Sequence, residues 1–122
     1  MNKKAKYERD KEPHEIDTEK VKALNDWLRT KLDGGLLVAT PGIESLRDET
    51  RLKILFEMMA FDDFNPDNDP YGEHDMGSVK ADGETAFWKI DYYDLEYLYH
   101  SPAKDDPEVT NRVLTIMKPE EY

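Results

Sequence analysis

Between Asp62 and Asp75 the chain reads DDFNPDNDPYGEHD, placing six carboxylates, two Asn, two Pro and His74 in fourteen positions with no Lys or Arg. That composition suits a stiffened, oxygen-rich loop able to hold a cation or to present negative charge. Asp63, Asn65, Asp67 and Asp69 recur at every second position. The early ligands of an EF-hand loop are spaced in the same way, because alternate oxygens must turn inward around one hard ion. Further along, Asn68 stands where that loop needs its sharp-turn Gly, and His74 where it needs a bidentate Glu. The competing reading makes the same Asp and Asn side chains acceptors for the loop's own N–H groups, as in Asx turns. Asp63, Asn65, Asp67, Asp69 and His74 therefore form the candidate metal set for a divalent cation, and no other cofactor is expected.

Glu73-His74-Asp75 follows Tyr71-Gly72. A His flanked by carboxylates can act as a general base, or can ligate a metal together with Asp67, Asp69 or Asp91. His74 and Glu73 are accordingly the candidate catalytic residues. Adjacent residues of an extended segment point to opposite sides, so at most Glu73 and Asp75 share a face. A hydrogen-bonded structural role is the alternative for His74. The sequence has no Ser/His/Asp elbow, no phosphate-binding Gly loop and no His-x-x-x-His helix. With no cysteine, disulfides, Cys-ligated zinc and thiol catalysis are excluded.

A third feature is the aromatic run Phe87-Trp88-Lys89-Ile90-Asp91-Tyr92-Tyr93-Asp94. Read as a strand, it turns Ala86, Trp88, Ile90 and Tyr92 to one side and Phe87, Lys89, Asp91 and Tyr93 to the other. The first set suits a core. The second is too polar for one and suits an interface, with Lys89 able to neutralise a loop carboxylate.

The elements that must hold these residues are legible from spacing. Asp17 is placed to cap a helix carrying Val21, Leu24, Leu28 and Leu32 on one face, joined by Trp27, with Gly34-Gly35 as its stop. Leu36–Thr40, bounded by Gly-Gly and Pro41-Gly42, predicts a buried strand. A second helix is expected from Arg47 to Phe61, with Leu52, Leu55, Phe56 and Met59 as its core face. Asp82-Gly83 marks a two-residue hairpin between 77–81 and 84–93. Leu95, Tyr97 and Tyr99 alternate as a third strand would. Asp106-Pro107 reads as a helix start, and Val109, Arg112, Val113, Ile116 and Met117 fit helical spacing, although 113–117 is also acceptable as a strand. Residues 1–15 are charged in both signs, have no apolar period and are expected to form a mobile arm. The expectation is one α+β domain over 16–122, with a small, mainly antiparallel sheet and helices on one face.

The 122 residues carry a net charge of −11, and its placement is uneven. Residues 1–61 hold twelve basic and twelve acidic side chains, whereas 62–122 hold five and sixteen. The acidic half is a poor match for nucleic-acid backbone and a good one for a basic protein or a cation. No apolar run is long enough for a membrane span, and the basic start lacks the apolar stretch of a secretory signal, so a cytoplasmic location without membrane association is expected.

The loop AFDDFNPDNDPYGEHDMG, the strand FWKIDYYD and the segment SPAKDDPEVTNRVLTIM with its closing EY together resemble an uncharacterised bacterial family, domain of unknown function 3768. The resemblance spans about Val21 to Tyr122. The family is typical of proteobacterial genomes and plasmids, and the resemblance implies no assigned reaction. It marks Asp62, Asp63, Phe64, Asp67, Asn68, Asp69, Pro70, Tyr71, Gly72, Glu73, His74 and Asp75 in the loop, Trp88, Lys89, Asp91, Tyr92 and Tyr93 in the strand, and Arg112 in the last segment.

The segregated charge favours a non-enzymatic acidic protein that engages a basic partner, for instance a mobile-element accessory or a DNA-mimic inhibitor. Its candidate contact residues are Asp67, Asp69, Tyr71, Glu73, Asp75, Phe87, Lys89, Asp91, Tyr93, Asp105 and Asp106. Two alternatives stand beside it: a small metal-dependent hydrolase or nuclease using Asp67, Asp69, Glu73 and His74, and a structural calcium loop without catalysis.

Overall fold

The computed structural model describes residues 14–122. Helix α1 (Thr18–Lys31) starts at Asp17, whose side chain accepts from the Lys20 N–H as its N-cap. It ends two positions sooner than the Gly pair suggests, with Leu32 in the left-handed conformation at φ 54° and its N–H donating to the Leu28 carbonyl. Strand β1 (Leu36–Ala39) leads into the single-turn α2 (Pro41–Glu44) and then α3 (Asp48–Ala60). After the acidic loop come β2 (Met76–Ala81), β3 (Glu84–Tyr93) and β4 (Asn111–Met117), and a 3-10 turn over Pro119–Glu121 closes the chain.

The four strands form one sheet in the order β1-β4-β3-β2. β2–β3 and β3–β4 are antiparallel, and β1–β4 is parallel. The hairpin turns at Asp82-Gly83, where φ of 51° and 79° places both residues in the left-handed region that matches the twist of the flanking strands. One face of the sheet, with Val79, Ala86, Trp88, Ile90, Leu114 and Ile116, packs against Leu28 of α1, Ile43 of α2 and Ile54 and Met58 of α3. The helices thus lie on one face, as an α+β layer fold requires. Trp88 is fully buried, and its ring lies so close to Gly77 that a Cβ there would sit 2.7 Å from it.

Several sequence expectations need correction. Of the two readings open for 113–117, the favoured helix gives way to the strand, which spans 111–117: Arg112, Leu114 and Ile116 alternate inward in register with Tyr92, Ile90 and Trp88. Asp106-Pro107 belongs to a turn in which the Asp106 side chain accepts from the Glu108 N–H, so no helix starts there. β1 is a sheet edge, with Leu36, Leu37 and Val38 each 42–50% exposed. The buried side chains of α3 are Thr50, Ile54 and Met58, whereas Leu52 and Phe56 face solvent. Trp27 and Leu32 are likewise exposed, because α1 buries Asn25 and Arg29 beside Val21 and Leu28.

Leu95, Tyr97 and Tyr99 are not a strand. Asp94 accepts from the Glu96 and Leu98 N–H groups and folds the segment into turns, leaving only a bridge between Tyr93 and His100. Of the expected arm, residues 1–13 lie outside the described residues. Its end is fastened: His14 Nε2 is 2.7 Å from Asp105 Oδ1, and the Asp17 N–H donates to the same carboxylate.

Candidate functional site

The acidic loop is built mainly from its own hydrogen bonds. Asn65 Oδ1 accepts from the Asp67 and Asn68 N–H groups, and Asn68 closes the turn by accepting from the Asn65 N–H and donating to the Asp63 carbonyl. Asp69, almost buried, accepts from the Glu73 and His74 N–H groups at 3.1 and 3.2 Å. These are the Asx-type contacts that let such side chains replace backbone partners in turns. His74 takes a left-handed φ of 55°. Its Nδ1 lies 2.8 Å from Asp26 Oδ1, and its ring stacks on Phe64 with centroids 3.7 Å apart.

Beneath the loop lies a polar cluster that the sequence reading placed only in part. Asn25, fully buried, donates to the Glu73 carbonyl and to the Tyr92 hydroxyl and accepts from Arg112 Nε at 2.9 Å. The Tyr92 hydroxyl donates to Glu73 Oε1 at 3.0 Å, and Lys104 Nζ sits 2.8 Å from the same oxygen. Arg112 also donates to the Lys104 carbonyl, and both cations lie over the Tyr92 ring at 5.2–5.3 Å. Burial pushes the Tyr92 hydroxyl well above its ordinary value and pulls the Arg112 guanidinium below its own. Burial, then the Glu73 charge, raises the Asp75 carboxyl. Asn25, Glu73, Tyr92, Lys104 and Arg112 are bonded to one another, so the cluster acts as a clamp joining the acidic loop, the 94–110 loop, α1 and the sheet.

Arg29 forms a second clamp. Its guanidinium donates to the carbonyls of Met58, Met59 and Phe61, the open end of α3, and to Asp26. It lies 5.4 Å from the rings of Phe64 and Trp88. A cation at a helix C-terminus satisfies carbonyls that have no partner within the helix.

Residues 39–121 match the family described as protein of unknown function (DUF3768). The chain belongs to that family. No curated protein and no solved structure matches it. The match is shorter than the resemblance at its N-terminal end: α1, with Asn25 and Arg29, lies before it. Within the family span, Glu73, Tyr92 and Arg112 converge on the buried cluster, although 39 positions separate Glu73 from Arg112.

The structure divides the candidate site residues sharply. Among the proposed metal ligands, Asp69 is engaged with backbone and His74 with Asp26, while Asp63 and Asp67 stand exposed. Among the described residues, no three His, Asp or Glu side chains gather as a metal-holding group. Glu73, of the proposed catalytic pair, is bound to Lys104 and Tyr92. Of the candidate contact residues, Asp69, Glu73, Asp105 and Asp106 are buried and do not face a partner. Tyr71 is exposed; Phe87, Lys89, Asp91 and Tyr93 lie on the sheet face away from the helices, where Lys89 pairs with Asp91 at 2.9 Å. Lys89 therefore neutralises a neighbour on its own strand and not the acidic loop.

The free carboxylates Asp63 and Asp67 do share one feature. With Asn68 they border a groove of about 460 Å³ whose apolar lining is Phe61, Met76 and Phe87, beside Gly77 and Ser78 of β2. Neither Phe61 nor Met76 was singled out by the sequence. Their shared place becomes visible only when the loop folds back along the edge of β2.

Proposed function

We propose that the protein is a non-enzymatic acidic binding module that engages a basic segment of another protein through this groove, in the cytoplasm. The observation that carries the reading is the pairing of Asp63 and Asp67 over an apolar lining. Asp69 and Glu73 are occupied by internal bonds, whereas the Asp63 and Asp67 side chains border the groove, are exposed and have no hydrogen bond or ion pair among the described residues. A lysine or arginine side chain suits such a groove, since its stem covers apolar surface while its head meets a carboxylate. The surplus of acidic residues in 62–122 would speed the approach of a basic partner through its long-range field. A DNA-mimic inhibitor or a mobile-element accessory is a concrete form of this role, because nucleic-acid-binding proteins present basic surfaces.

The test is capture from cells of the source organism with tagged wild type and with a variant carrying Asp63→Lys and Asp67→Lys. A basic protein retained by the wild type at low salt, released by high salt and missed by the variant is the expected result. Equal retention by both proteins, or retention of nothing basic, would overturn the reading.

A further inference from the structure

The groove runs along an open sheet edge, and the phase of that edge is determined by one hydrogen bond. The Ile90 N–H donates to the Asp75 carbonyl at 2.7 Å. In an antiparallel ladder, hydrogen-bonded and non-bonded pairs alternate. Residues 77, 79 and 81 therefore exchange bonds with β3 at Trp88, Ala86 and Glu84, and Met76, Ser78 and Lys80 turn their N–H and C=O groups outward. Those outward groups have no partner among the described residues. Met76 and Ser78 also line the groove.

The opposite edge offers a different setting. The groove beside β1, of about 540 Å³, is lined by Leu37, Ala39, Ile43, Leu52, Leu55 and Ile116, and Arg51 stands with Glu44 and Asp48 among its charged residues. Its mixed charge favours neither sign of partner. Among the described residues, the β2 edge combines unpaired backbone groups, an apolar lining and carboxylates without an ion-pair partner.

We infer that the basic partner binds as an added β-strand on β2, an extended segment in which basic and apolar residues alternate. This rests on the binding reading above and specifies its mode. Main-chain bonds to Met76, Ser78 and Lys80 supply the attachment, and alternate side chains entering the groove supply the selectivity. The charge sets a polarity along the edge. Basic side chains belong at the Met76 end, beside Asp63 and Asp67, while Lys80 near the hairpin disfavours a basic residue opposite it. Lys80 is also a device that discourages indiscriminate pairing of an open edge.

The experiment uses the full chain with a short peptide alternating lysine and valine, and a second peptide of the same sequence N-methylated at alternate residues. Hydrogen exchange at individual amides reports whether the Met76, Ser78 and Lys80 N–H groups become protected. The inference expects slowed exchange at those three amides with the first peptide, and binding at least tenfold weaker for the methylated one. If both peptides bind equally and salt-dependently while the amides exchange as before, the strand mode is wrong and the basic-partner reading stands. If neither peptide binds at low salt, both are wrong.

Discussion

The Arg29 guanidinium donates to the Phe61 carbonyl at 2.8 Å, closing α3 at the position where the acidic loop begins. Phe61 in turn makes edge contacts with Phe64 and Trp88, so the start of the loop is fixed to the core by one cation and three rings. The groove beside Asp63 depends on this anchorage, because Phe61 is part of its lining.

Arg29→Met keeps the apolar stem and removes the donors. It should leave the carbonyls of Met58, Met59 and Phe61 without their present partner and lower stability by roughly 3 kcal/mol, the scale of losing buried hydrogen-bond partners. Chemical denaturation reads this directly; a loss below ~0.5 kcal/mol, as for an ordinary surface change, would show that the clamp is dispensable.

Trp88→Ala should cost about 3–5 kcal/mol by removing a large core side chain. Gly77→Ala should also destabilise, by roughly 1–3 kcal/mol, because its new methyl meets the Trp88 ring and the core there has no slack. Equal melting temperatures for wild type and Gly77→Ala would contradict the close approach of the two residues.

Much of this framework is legible in the sequence because local chemistry dictates it. Asp17 caps, Asp82-Gly83 turns and Trp88 and Ile90 alternate inward, each through a rule that spans a few residues. The misreadings share a different cause. Arg112, Leu114 and Ile116 form a strand because β3 offers a register partner, which decides between the helical and strand spacings that 113–117 both allow. Asn25 and Arg29 are buried because Glu73, Arg112 and the end of α3 need hydrogen-bond partners, and a polar residue four positions from another gives only a faint signal of that. The alternating carboxylates of the loop were legible as a cluster. Their division into occupied Asp69 and free Asp63 and Asp67 depends on where the chain folds back.

Asp75 offers a pH test. Its carboxyl is raised in the folded protein by burial and by Glu73, so the folded state binds its proton more tightly than the unfolded chain does. The ionised form therefore opposes folding at neutral pH, and this penalty vanishes below the ordinary carboxylate range, where both states are protonated. Asp75→Asn should raise the melting temperature at neutral pH, and the gain should fade as the pH drops. A variant less stable than wild type at neutral pH would show that the charge is needed.

The loop's folded conformation gives an expectation for metal as well. Since Asp69 accepts from backbone and His74 meets Asp26, millimolar-scale calcium and chelator should give the same melting curve. A rise in melting temperature that Asp67→Asn and Asp69→Asn abolish would restore the cation site, because only the folded state would then supply the ligands.

The central claim is that Asp63 and Asp67 receive a basic segment, and association kinetics of the lysine–valine peptide across a salt series test it most directly. The account predicts an association rate that falls steeply as salt shortens the screening length towards about 10 Å at 0.1 M. It also predicts that Asp63→Lys with Asp67→Lys flattens that dependence and slows association more than it hastens dissociation, at unchanged stability. Association that is insensitive to salt, or identical for wild type and the reversed variant, would contradict it.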